Sequence, residues 1–117
     1  MDDGLKSTGS DTTATVTINV TNAGTGVIFR NDNTTFAGTM IVNGIASETA
    51  GAGGGIGVSG STTGLQNADI QLNGTMELKR KSGSLSWSGT NTLASTFQMG
   101  ALSGTGVMVG TTARSPV

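Results

Sequence analysis

Apolar and polar residues alternate strictly along Thr15-Val16-Thr17-Ile18-Asn19-Val20-Thr21, with Val16, Ile18 and Val20 on one side and Thr or Asn on the other. A period of two carried by β-branched residues, whose χ1 freedom is restricted, describes a strand with one buried face. Short apolar runs bounded by Gly or Asn follow it. They predict further strands at Gly26–Arg30, Thr39–Asn43, Gly55–Ser59, Ala68–Asn73, Thr75–Lys79, Ser84–Ser88, Thr96–Met99 and Gly106–Val109. Nowhere do apolar residues keep helical spacing for three turns. Twenty of the 117 residues are Gly, and each one inside a helix costs about 0.5–1 kcal/mol relative to Ala. The expected fold is all-β.

Residues 1–13 hold a single Leu among charged and small residues and read as a flexible lead-in. Residues 14–112 read as one β domain, and 113–117 as a C-terminal tail. Many short strands at this spacing suit a β-solenoid (a β-helix-like stack), a β-sandwich or a jelly roll. Three details favour the solenoid. Gly38-Thr39-Met40-Ile41-Val42 resembles Gly74-Thr75-Met76-Glu77-Leu78, and Gly24-Thr25-Gly26-Val27-Ile28 resembles Gly104-Thr105-Gly106-Val107-Met108. The connections are built from Gly, Asn, Ser and Thr, which permit sharp corners and offer side chains that bond stacked neighbours. The inward residues are Val, Ile, Leu and Met with few aromatics, as a narrow stacked core requires.

Composition narrows the function more than the fold. The 20 Gly, 20 Thr, 12 Ser and 8 Asn make up about half of the chain, and there is no Cys and no His. That excludes a disulfide framework, a thiolate metal site, a cysteine nucleophile and the Ser-His-Asp constellation. Six Lys and Arg against seven Asp and Glu, with three Phe and one Trp, leave no basic surface for nucleic acid. No apolar run is long enough for a transmembrane segment. Met1-Asp2-Asp3-Gly4-Leu5-Lys6 lacks the basic start and apolar centre of a signal peptide. The chain therefore reads as cytoplasmic, or as a mature or excised piece.

Individual features add few chemical candidates. Gly51-Ala52-Gly53-Gly54-Gly55-Ile56-Gly57 has neither the Lys nor the following helix of a phosphate-binding loop, and reads as a corner. The carboxylates are scattered and nominate no acid–base pair. No metal or cofactor is expected, and the chain does not read as an enzyme. Lys79-Arg80-Lys81 is the one cationic cluster, either a solvated turn that deters edge pairing or a patch for an anionic partner. Trp87, in Ser84-Leu85-Ser86-Trp87-Ser88, either fills the core or stacks on a sugar ring.

The stretch Gly24-Thr25-Gly26-Val27-Ile28-Phe29-Arg30-Asn31-Asp32-Asn33-Thr34-Thr35-Phe36-Ala37-Gly38-Thr39-Met40-Ile41-Val42-Asn43-Gly44 resembles the autotransporter passenger-associated β-strand repeat. Its pattern is a Gly-x-Gly turn, a strand, Asn-Thr-aromatic-x-Gly, a second strand and a closing Gly. The run from Phe97 to Val109, with Leu102-Ser103-Gly104-Thr105-Gly106 at its centre, is similar to the same family's strand–corner–strand unit. The resemblance implies a right-handed β-helical stalk, secreted to or displayed on a bacterial surface, that serves as a spacer or adhesive.

The combined expectation is a non-enzymatic structural protein, an extracellular or cell-surface fibre subunit or adhesin stalk element. It would assemble through strand edges with copies of itself or with neighbouring repeats. Val16, Ile18 and Val20 mark the assembly strand, preceded by a lead-in that lets it reach a neighbour. The alternative is a carbohydrate- or receptor-binding module of a surface or phage fibre, with Trp87, Lys79, Arg80 and Lys81 contacting a surface glycan.

Overall fold

A computed structural model describes residues 13–29, 36–58, 65–78, 87, 98–110 and 114–116. The alternating segment becomes β1 (Thr15–Asn19), the first of nine strands among the described residues. It is followed by β2 (Thr25–Phe29), β3 (Thr39–Asn43), β4 (Gly54–Val58), β5 (Asp69–Asn73), β6 (Thr75–Leu78), β7 (Leu102–Ser103), β8 (Val107–Val109) and β9 (Arg114–Pro116). There is no helix among the described residues. From β1 to β8 successive strands enter alternate sheets, a first sheet in the order β1-β3-β5-β7 and a second in the order β2-β4-β6-β8-β9, where β9 joins the same sheet as β8. Among these nine strands every pairing is parallel except that of β9 with β8. Parallel neighbours need a long return path. Here each return passes through a strand of the opposite sheet.

The register turns the alternation into rows. Val16, Met40, Ile70 and Leu102 align across the first sheet, and beside them Ile18, Val42 and Leu72. In the second sheet Val27, Ile56, Met76 and Met108 align, with Phe29, Val58 and Leu78 next to them. These rows meet between the sheets. Met40, Val42, Ile56, Leu72 and Met76 are fully buried there and Ile70 is 1% exposed. The core is thin because each strand contributes only two or three inward side chains.

The return paths are unequal. The chain takes 24 residues from Thr15 to Thr39, 30 from Thr39 to Asp69 and 32 from Ile70 to Leu102, but only 20 from Gly55 to Thr75. Internal similarity in the sequence is fragmentary for this reason. Gly24-Thr25-Gly26-Val27-Ile28 and Gly104-Thr105-Gly106-Val107-Met108 both leave a glycine with positive φ (75° and 107°) and enter the second sheet. They are nevertheless shifted by one residue, because Val27 shares its row with Met108 while Gly26 shares its row with Val107. Gly38–Val42 and Gly74–Leu78 lead into different sheets altogether.

Two strands were not anticipated by the pattern. β7 spans two exposed residues, too few to alternate. β9 falls within the segment read as a tail and pairs antiparallel with β8. The strand expected at Ser84–Ser88 lies outside the described residues apart from Trp87, as does Thr96–Met99 apart from Gln98 and Met99. Met99 makes an isolated parallel bridge with Leu65. The lead-in, residues 1–13, lies outside them too apart from Thr13.

Candidate functional site

The outer face of the first sheet is polar and open to solvent. Three of its strands, TVTIN, TMIVN and DIQLN, end on Asn, and the register places Asn19, Asn43 and Asn73 in one row. Asn73 Nδ2 donates to Asn43 Oδ1 (3.2 Å), and Asn43 Nδ2 donates to Asn19 Oδ1 (3.0 Å). At the other end Asn73 Oδ1 accepts from the Thr105 N–H (3.4 Å). The amide ladder has a direction, and it runs out at the Asn19 Nδ2 donor. Each exposed bond is worth about 1 kcal/mol or less. The ladder's larger effect is on register, since a one-residue slip would turn every Asn inward.

The outer face of the second sheet is covered instead. Gly55, Gly57, Thr75 and Glu77 point away from the core rows yet are buried, as are Val107 and Val109 on the same face. The connection between β3 and β4 folds back over this face. Ile45 and Gly54 exchange backbone hydrogen bonds (3.0 and 2.8 Å). The Thr75 hydroxyl donates to Ile45 O (2.8 Å) and accepts from the Ser47 N–H (3.0 Å). Glu77 is fully buried, and its Oε2 accepts from the Gly51 N–H at 2.7 Å. This buried hydrogen bond ties the β3–β4 connection to β6. Trp87 completes the cover: its indole Nε1 donates to Gly53 O (3.0 Å) and the residue is 7% exposed. A methyl on Gly26 would run into Cε3 and Cζ3 of that ring, so the glycine makes room for it. Glu77 and Thr75 thereby act as loop anchors.

The third feature is the end of the stack formed by β1 and β2. β1 is the outermost strand of the first sheet and β2 of the second. Val16 and Ile18 are half-buried on the inward face of β1, and Val20, just beyond it, donates its N–H to Asn43 O (2.8 Å). Val27 is 37% exposed. Beside these residues Asn19, Val20, Thr21, Asn22, Thr25, Gly26 and Val27 line an open cleft of about 290 Å³. Val16, Ile18 and Val20 are therefore brought together at one sheet edge.

The remaining sequence candidates are not gathered there. Lys79, Arg80 and Lys81 lie outside the described residues. Trp87 turns its ring to Gly26, donates its N–H to Gly53 O and is 7% exposed. Sequence reasoning missed the Asn row, whose signal was three strands ending on the same residue. It also missed the Glu77 anchor, which has no local signal. Among the described residues there is no group of three or more His, Cys, Asp or Glu able to hold a metal, and no helix is long and apolar enough to cross a membrane. No protein-family model matches the chain, and neither a curated protein nor a solved structure resembles it detectably.

Proposed function

We propose that the chain is a non-enzymatic structural element, a β-solenoid segment of an extracellular fibre or adhesin stalk. The observation that carries this reading is the repeated parallel, in-register pairing of alternate strands in two sheets. In such a stack each coil covers the apolar row of the next, so coil-on-coil contact is both the source of stability and the means of extension. The likeness of residues 24–44 to the autotransporter repeat supports an extracellular setting. The Thr, Asn and Gln of the first sheet's outer face supply a hydrated flank suited to that environment.

A modular stack tolerates extra coils, whereas a sandwich or jelly roll, whose strands have non-equivalent partners, does not. Gly55 and Thr75 are register partners, so duplicating residues 55–74 directly after Gly74 recreates the native junction at each join. Two added copies are expected to fold in one cooperative transition. The length along the stack should grow by about 10 Å, at roughly 4.8 Å per coil, read by small-angle X-ray scattering as a larger particle. An unfolded product, or a folded one of unchanged length, would overturn the solenoid stalk.

A further inference from the structure

The two ends of the stack are unequal. At the far end β7 is only two residues long, and the second sheet ends in the three-residue β9, which pairs antiparallel with β8. At the near end both outer strands are five residues long and neither carries a charge. Edge strands that avoid partners are commonly short or carry Lys; β1 and β2 do neither. Ala14 O accepts from the Thr39 N–H (2.9 Å) and the Val20 N–H donates to Asn43 O (2.8 Å). Even-numbered residues of β1 thus bond β3, and Thr15, Thr17 and Asn19 direct their N–H and C=O groups away from the sheet.

We propose that this edge pairs with itself: a second copy of the chain adds its own β1 antiparallel to the first, about a two-fold axis at Thr17. The strand is suited to that symmetry. With Thr17 opposite Thr17, Thr15 lies opposite Asn19, and the outward backbone groups make about six hydrogen bonds. Val16 lies opposite Ile18, so the inward apolar row continues across the joint. Asn19 Nδ2, the last donor of the amide ladder, meets the Thr15 hydroxyl of the copy. The contact carries the first sheet on into a second chain, in the antiparallel rather than the parallel sense. Each chain gives the same strand to the contact, so the pairing is isologous and joins two chains. The proposal rests on the stacked-coil reading above.

Sedimentation equilibrium of the full chain is expected to show a two-chain particle. Thr17 is exposed, so its substitution leaves the core untouched, and like charges facing across paired strands oppose association. Thr17→Lys and Thr17→Asp should each weaken association at least tenfold, and an equimolar mixture of the two should restore the two-chain particle. A one-chain wild type, open filaments, variants that associate as well as the wild type, or a mixture that fails to associate would each overturn the pairing. A one-chain particle that still accepts inserted coils would do so while leaving the stalk reading intact.

Discussion

Leu72→Ala is expected to lower the stability of the fold by about 3–5 kcal/mol. Leu72 is fully buried and lies in the row Ile18–Val42–Leu72 between the sheets. The site is confined: a methyl placed on Gly106 would already press on the Leu72 side chain. Backbone hydrogen bonds hold the spacing between rungs, so neighbouring strands cannot close over the space that the substitution opens. In a small domain with a total stability of roughly 5–15 kcal/mol, that loss is a large fraction of the whole. Urea unfolding followed by far-UV circular dichroism should show a lowered midpoint with an unchanged slope. Ile41→Ala, on the outer face of the neighbouring strand, should cost about 1 kcal/mol or less. Equal effects at the two positions would mean that the rows do not form the core.

Trp87→Ala carries the second large effect, about 3–5 kcal/mol. The substitution uncovers the second sheet at Gly26 and removes the donor to Gly53 O. Trp87→Phe separates the two contributions. It keeps most of the apolar cover but removes one of two donors to Gly53 O, which still accepts from the Gly24 N–H (2.7 Å), at a cost of about 0.5–1.5 kcal/mol. Trp87 is the one Trp in the chain, so native emission should be blue-shifted, shielded from iodide and indifferent to added glycans, and it should shift red on unfolding. A red-shifted native emission that changes on adding a glycan would return the residue to the surface and favour a binding module.

Local residues and long-range contacts were legible to different degrees. Alternation through Val16 and Ile18, and again through Met40 and Val42, marked strands because one buried face is a local property. Glycine and asparagine marked their ends. Pairing was not local: the returns of 20 to 32 residues vary with the loops, so no fixed period announces which strands are neighbours. The same limit applies to the cover on the second sheet. Met76-Glu77-Leu78 alternates as if Glu77 faced water, yet the loop from Ile45 to Gly53 lies over it through contacts such as Gly51 to Glu77. Trp87 shows the other side of this limit. Its burial was one of two local options, but its place against the outer face of a sheet depends on Gly26 and Gly53, far away in sequence. The Asn row was available in principle, since one residue type closing three strands is what a stacked amide ladder requires.

The central claim is parallel stacking of alternate strands, and amide-resolved NMR on uniformly labelled protein tests it directly. Cross-strand proton contacts are expected between Ile18 and Val42, between Val42 and Leu72, and between Ile56 and Met76, all running in the parallel sense. The Val20 amide should also show slow hydrogen exchange through its bond to Asn43 O. Antiparallel contacts joining consecutive strands, β1 to β2 or β3 to β4 along their lengths, would contradict the account and return the chain to a hairpin-built sandwich.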